Sequence, residues 1–558
     1  MESTSTSALV PVPHNQSVLQ QTTKEQTDHS SSFKGVRDPI SVLPPEIAWR
    51  CIYEALPLEG ETHRAWYPEA LLQFTTVSRS WGDLILSTSS FWAEIHVHIW
   101  AEDMLAILAT FLGLSRESEL SLVIWTYPGN EWDHVRELLL PHVPRFRTLN
   151  ILIQAEADAM FRGEPIHTPL LTSSAVIKDL NLAPFLRELD CNAGVYGPPY
   201  CPNLGRLIAL TASRLTSLVI RINASEIGEV AGILPLLTRL QDLGLHFYEV
   251  DQISDMSCTI PQTTVPCLRS ISVWVGLDRW YDPTSFDGLF AAFSVLYPCV
   301  AKVTFNISLI SNMMAAYLER LQHLETLHFV ESFVAVPDEC RELFLPTLQE
   351  LDVGDSKLVQ FIKAPNLISL RNVSVRSGEE LEQLQSRKLQ SLHITIPTAF
   401  ESAVILRPDI LNALRRLTIV LDQTVNNWVV TSLPLLASIQ FGRPLDNLNR
   451  PGKMLCAQII YYPETCPSLR EIDFGDYVEW DLLFIMLERR NLGRKDATRI
   501  EKVSVPFVPL AFRQSLLELL LGRQRRADPS NMVLSLEETR ELIFDPSVYV
   551  VSHVKVTL

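Results

Sequence analysis

From residue 146 onward one short pattern recurs: apolar, two unrestricted residues, apolar, one unrestricted residue, apolar. It reads as Phe146/Leu149/Ile151, Leu186/Leu189/Cys191, Leu215/Leu218/Ile220, Leu240/Leu243/Leu245 and Leu268/Ile271/Val273. It continues as Val300/Val303/Phe305, Leu324/Leu327/Phe329, Leu348/Leu351/Val353, Leu389/Leu392/Ile394 and Leu414/Leu417/Ile419. Leu436/Ile439/Phe441, Leu469/Ile472/Phe474 and Ile500/Val503/Val505 complete the series, and Asn372 breaks a degenerate copy at Leu367/Leu370. The spacing centres on about 25 residues, the period of leucine-rich repeats. The alternating tail of each unit predicts a short strand with every second side chain inward. Stretches such as 225–240 and 312–324 predict helices between the strands. One unit cannot cover its own apolar face, but a stack can. The expected fold class is therefore α/β: an irregular solenoid over 146–505, with parallel strands on a concave face and helices on a convex one.

Other patterns flank the array. Residues 1–37 are rich in Ser, Thr and Gln. They bury too little to offset ordering entropy and are expected to form a disordered tail. Over 38–97, Pro44 and Pro45 precede an apolar run with Ile47, Cys51, Ile52 and Leu56 at helical spacing. Proline suits the first turn of a helix, where its missing N–H is not needed. Leu71, Leu72, Phe74, Val77, Trp81, Leu84 and Ile85 predict further short helices. A domain this small buries little alone and leans on a neighbour or partner. Residues 98–145 are expected to be a helical linker and N-terminal cap. Residues 506–558 lose the repeat; a helix over 510–526 and a final strand are expected to cap the other end.

Composition narrows the function. Hydrophobic residues make up 47% of the chain, enough for a core, and the net charge is -17. A field of that sign repels phosphate backbones, so neither nucleic acid nor anionic membrane is an expected partner. Nine cysteines, without any C-x-x-C, fit reduced thiols better than a disulfide frame or zinc site. No basic-then-apolar leader and no long apolar run is present, so a cytoplasmic or nuclear location is expected. Phosphate-loop, dinucleotide, zinc-protease and nucleophile-elbow motifs are absent, so no enzyme and no cofactor is expected. His96 and His98 share one strand face, but without a third ligand nearby they read as ordinary strand residues. The basic end of "LLLGRQRR", with Lys502 near it, reads as a solvated helix terminus. Trp280 and Tyr281 follow a predicted strand, where repeat proteins often bind, and are the candidates for substrate contact.

The segment 38–97 resembles the F-box motif, in a layout similar to F-box-like proteins of mushroom-forming fungi. The matching residues are Leu43, Pro44, Glu46, Ile47, Ile52 and Leu56, then Val77, Ser78, Trp81 and Leu84, then Trp92 and Ile95. It departs from the family pattern at Ala48 and Cys51, where larger aliphatics are usual, and at Ile52, where an aromatic is common. The insert 58–69 also lengthens the first connection. The resemblance implies a substrate-recognition adaptor of a Skp–cullin–F-box ubiquitin ligase. It implies that Leu43, Pro44, Ile47, Ile52 and Leu56 form much of the surface facing the Skp-family linker, and through it a cullin. Val77, Trp81 and Leu84 would pack the small domain or extend that surface, and the repeats would hold a protein substrate. Leu43, Ile47 and Ile52 are then expected on an exposed apolar patch. The competing class is a repeat scaffold without a ubiquitin role, whose opening helix is buried against the first repeats.

Overall fold

The computed structural model describes residues 38–56, 67–98, 103–126, 132–153, 183, 186–191, 211–222, 234–247, 265, 267–275, 287–296, 299–307, 310–330, 342–354, 356–375, 387–396, 404–406, 411–421, 428–430, 433–442, 451–462, 465–475, 478–493, 497–505, 508–522 and 555–556. The expected tail 1–37 and most of 506–558 lie outside them. The chain divides into two compact units, one reaching His96 and including Ala106–Ser118, the other formed by Val97–Leu105 and Glu119 onward.

The first unit is helical. It contains α1 (Pro39–Val42), α2 (Pro45–Ala55), α3 (Tyr67–Thr75) and α4 (Arg79–Ser87). Strand β1 (Glu94–His98) and helix α5 (Met104–Leu114) follow. Helices α1, α2 and α3 all pack on α4. Gly82 lets α3 and α4 approach closely, since a Cβ there would sit 3.1 Å from the Thr75 carbonyl. Most of α5 belongs to this unit, not to a linker as expected: Phe111 meets Trp92 edge-on at 4.9 Å, and Ser118 Oγ donates to Ser89 Oγ at 2.7 Å.

The second unit is α/β and is built on a large parallel sheet. It opens with β2 (Leu120–Thr126), α6 (Trp132–Leu139) and β3 (Phe146–Ile153). The sheet is thus already present at Leu120, not only from about 146, because β2 pairs in parallel with β3. Next come β4 (Glu188–Cys191), β5 (Ser217–Ile222), β6 (Asp242–Phe247) and β7 (Ser270–Val275). Helix α7 (Asp287–Leu296), β8 (Lys302–Asn306), α8 (Asn312–Arg320) and β9 (Thr326–Phe329) follow. Then come β10 (Leu343–Phe344), β11 (Glu350–Asp352), α9 (Ser356–Phe361), β12 (Ile362–Lys363) and β13 (Ser369–Ser374). The chain continues through β14 (Ser391–Ile396), β15 (Val404–Leu406), β16 (Arg416–Leu421), β17 (Trp428–Val430) and β18 (Ser438–Phe441). It ends with α10 (Pro451–Tyr461), β19 (Glu471–Asp473), α11 (Trp480–Asn491), β20 (Lys502–Ser504), α12 (Leu510–Leu520) and β21 (Lys555–Val556).

The register explains the repeat. The middle apolar residue of each unit pairs with the middle residue of the next. The row runs Leu122, Leu149, Leu189, Leu218, Leu243, Ile271, Val303, Leu327, Leu351, Leu370, Leu392, Leu417, Ile439, Ile472 and Val503. None of these side chains is more than 3% exposed. The first apolar residue of each unit, from Phe146 to Ile500, makes a second buried row. The third position adds Phe305 beside Phe329 at 5.7 Å and Phe441 beside Phe474 at 6.1 Å. Fully burying each such side chain stabilises the fold by about 1.5–3 kcal/mol before entropy is counted.

The connections vary in kind, which accounts for the uneven period. Helices α7 and α8 pack together, as do α10 with α11 and α11 with α12. Elsewhere short parallel pairs, β10 with β12 and β15 with β17, occupy the connections. The C-terminal end is closed by buried polar groups. Arg490 is 1% exposed and donates to the carbonyls of Cys466, Pro467 and Thr498. Asn491 donates to the carbonyls of Ile500 and Leu519, tying α12 to the segment that leads into β20. Helix α12 ends at Leu520, short of the expected 526, with Gly522 (φ +68°) in the turn after it, and β21 pairs antiparallel with β20.

The degenerate repeat is solved by a bulge. Leu370 pairs with Leu392, but the next inward pair is Val373 with Ile394, so β13 carries one extra residue. Asn372 takes it up in the left-handed region at φ 61°, and its Nδ2 donates to Asp352 Oδ1 at 2.6 Å. Asparagine tolerates that region better than other residues with a Cβ. Asn372→Val is expected to cost about 1–2 kcal/mol in urea denaturation of the full chain, and Asn372→Gly less than half of that. Equal losses in the two variants would mean that the backbone conformation is not what Asn372 supplies.

Candidate interaction surface on the N-terminal helices

The entry to α2 is set by two prolines and one acid. Asp38 caps α1, its Oδ1 accepting the Ile40 N–H at 3.0 Å. The same oxygen accepts the Trp81 indole N–H at 3.3 Å, and Oδ2 accepts the Ser78 hydroxyl. Ser78 in turn caps α4, taking the Trp81 backbone N–H at 3.3 Å. One carboxylate thus ties the start of α1 to the start of α4. These hydrogen bonds, that from Ser78 foremost, hold the Asp38 carboxyl below the usual carboxylate range against partial desolvation. Pro44 stands at the N-cap of α2, and its carbonyl accepts the N–H groups of Ile47 and Ala48 at 3.0 Å each.

Helix α2 then has two apolar stripes. Ala48, Ile52 and Leu56, at i, i+4 and i+8, are 1%, 0% and 4% exposed. On another side Leu43 is 38% and Ile47 48% exposed, and Pro44 and Cys51 are exposed with them. Val42 and Tyr53 are exposed too, and Tyr53 stacks on Trp49 at 5.5 Å. Helix α4 anchors the unit through Ile85, fully buried, whose carbonyl accepts the Trp92 indole N–H at 2.9 Å.

The expected residues therefore divide. Leu43, Pro44 and Ile47 share the exposed strip, and Val77 is also exposed. Trp81 and Leu84 are half-buried, with Trp81 against Phe74 at 5.7 Å. Ile52 and Leu56 correct the expectation: they face inward and fill the helical unit, so they offer no surface to a partner. Cys51 as an outward residue and Asp38 as the tie between helices are not among the expected site residues. An acid followed by proline at the head of an apolar run is the cap signal that marks Asp38.

A polar row lies on the solvent side of the sheet. Asp352 faces His328 at 3.4 Å and accepts from Asn372, while Arg371 pairs with Glu350 at 3.7 Å. Burial lowers the His393 pKa, Asp352 opposes that shift, and Arg371 adds to it. Trp280 and Tyr281 lie outside the described residues, as does the basic run after Gly522. His96 meets Glu94 at 3.4 Å, and the side chain of His98 is outside the described set. Among the described residues no three His, Cys, Asp or Glu side chains gather in a way that would hold a metal ion. Among them, too, no helix is long and apolar enough to cross a membrane.

No protein-family model matches the chain, and comparison with curated protein sequences gives no significant match.

The Asp38 tie has a defined pH dependence. Its folded pKa is depressed, so its stabilisation is present above the unfolded carboxylate value of about 3.9 and is lost as pH falls through the folded value. Amide exchange in α1 and α4 of the full chain should accelerate as pH is lowered through that window, after correction for intrinsic rates. In Asp38→Asn the two helices should exchange faster at neutral pH and lose the acid-dependent step. An unchanged step in the variant would assign the pH response to another group.

Proposed function

We propose that the chain is a substrate-recruiting adaptor of a Skp–cullin–F-box ubiquitin ligase. Its N-terminal helices form an F-box that docks on a Skp-family linker, and its leucine-rich repeats hold a protein substrate. The observation that carries this reading is the exposed strip Leu43, Pro44, Ile47 and Cys51. It lies on a helix whose other apolar stripe is already filled by Ala48, Ile52 and Leu56. A helical unit this small has no internal use for a second apolar stripe. Helix-in-groove association is won by burying such anchors one turn apart, and a proline-fixed entry lowers the ordering cost. The plain scaffold reading gives this exposed stripe no role.

In this role the chain performs no chemistry. It raises the effective concentration of a bound substrate near a ubiquitin-loaded enzyme carried elsewhere in the assembly. The polar row around Asp352 suits recognition of a folded or extended protein partner better than an apolar ligand, because its side chains offer donors and acceptors across neighbouring strands.

The full chain, co-expressed with a Skp-family linker, should co-elute with it as a one-to-one complex in size-exclusion chromatography. Leu43→Ala with Pro44→Ala should abolish co-elution, and Ile47→Asp should weaken binding more than tenfold, because a carboxylate would be buried in an apolar contact. Both variants should keep the wild-type denaturation midpoint of the repeats. A well-folded wild type that ignores the linker would hand the N-terminal helices to the scaffold reading.

A further inference from the structure

Two cysteines occupy the same place in consecutive repeats. Cys267 immediately precedes Leu268, and Cys299 immediately precedes Val300; both apolar residues belong to the first buried row and are fully buried. The strands they lead into pair in register, Ser270 with Lys302 and Ile271 with Val303. That register already holds upstream, where the N–H groups of Ala301 and Lys302 both donate to the Arg269 carbonyl at 2.8 and 2.9 Å. Both cysteines stand in the same turn position, and both are exposed free thiols. Neighbouring strands lie about 4.8 Å apart. That spacing falls inside the Cα separation of about 4.4–6.8 Å that a disulfide spans.

We propose that Cys267 and Cys299 are a dithiol that closes into a disulfide between adjacent repeats on meeting a small anionic disulfide of the glutathione class. One thiolate attacks a sulfur of the oxidised tripeptide, whose S–S bond breaks and releases one reduced tripeptide thiolate, which takes up a proton. The second cysteine, after giving up its proton, attacks the protein sulfur of the mixed disulfide and expels the second reduced tripeptide. Two protein thiols are oxidised and one small disulfide is reduced. The column supports this ligand class: Arg239 precedes Leu240 in the neighbouring repeat and is exposed. The guanidinium attracts the tripeptide carboxylates. The other described pair of C-terminal thiols contrasts with this one. Cys456 and Cys466 are buried, and burial pushes each thiol up to about 12, so they remain unreactive. Closure constrains the chain between β7 and β8 and fixes the spacing of the two repeats. This inference stands independently of linker docking.

The test treats the reduced full chain with oxidised glutathione, then alkylates with iodoacetamide and maps the peptides by mass. The expected wild-type result is loss of two hydrogens, a Cys267–Cys299 linked peptide pair and loss of alkylation at both sites. Cys267→Ser should leave Cys299 carrying a single glutathione adduct, and Cys299→Ser the reverse. Cys456 and Cys466 should stay unalkylated throughout, reporting an intact fold. Separate adducts on both cysteines of the wild type, retained alkylation, a bond to any other cysteine or a linked dimer would each overturn the pairing.

Discussion

Everything in the larger unit follows from one constraint: no repeat can cover its own apolar side. Each strand contributes only two or three inward residues, so the row from Leu122 to Val503 is dry only because each member has a neighbour above and below. The parallel register is therefore not a free choice. Sliding one strand by a single residue would turn its polar positions into the core and its leucines into water. The same constraint makes the ends special. At the C-terminal end the buried guanidinium of Arg490 gathers the carbonyls of Cys466, Pro467 and Thr498, and the amide of Asn491 those of Ile500 and Leu519.

That constraint also decides what the sequence shows plainly and what it hides. The first and middle positions of the repeat are legible because burial restricts them to aliphatic or aromatic side chains, and all of them lie in the core. Connections carry no such restriction, so helices α7 and α8 and the short pairs β10–β12 and β15–β17 alternate without a common signal. The degenerate copy at Leu367/Leu370 shows the limit. Asn372 looks like a lost core residue, yet Val373 takes the inward place once the bulge is made, and the core row continues unbroken. Strand β2 was hidden for a related reason. Its run Leu120, Leu122, Ile124 alternates cleanly but lacks the spacing of the repeats after it.

The helical unit shows a different ambiguity. Spacing alone finds two apolar stripes on α2 and does not say which one points inward. Ala48 holds the clue: a small residue between larger ones marks the side where another helix comes close, and α2 packs on α4. The stripe through Ile52 and Leu56 is thereby spent on folding, and the stripe through Leu43, Ile47 and Cys51 is left to water. A long-range tie reinforces the arrangement, since Asp38 reaches Ser78 and Trp81 across some forty positions that local pattern cannot relate.

The two units thus differ in where their unspent surface lies. In the helical unit it is apolar and narrow, which suits a partner that supplies its own groove. In the repeat unit the solvent side of the sheet carries polar side chains that meet one another, as in Glu350 with Arg371 and Asp352 with His328 and Asn372. Paired surface charges add little stability. Their physical use is in discrimination, because a partner must replace each pairing it breaks or leave a charge unmatched. A chain of net charge -17 adds a long-range preference for basic partners that acts before any of these contacts form. On the proposed adaptor reading, the apolar stripe would serve attachment and the polar side of the sheet selection.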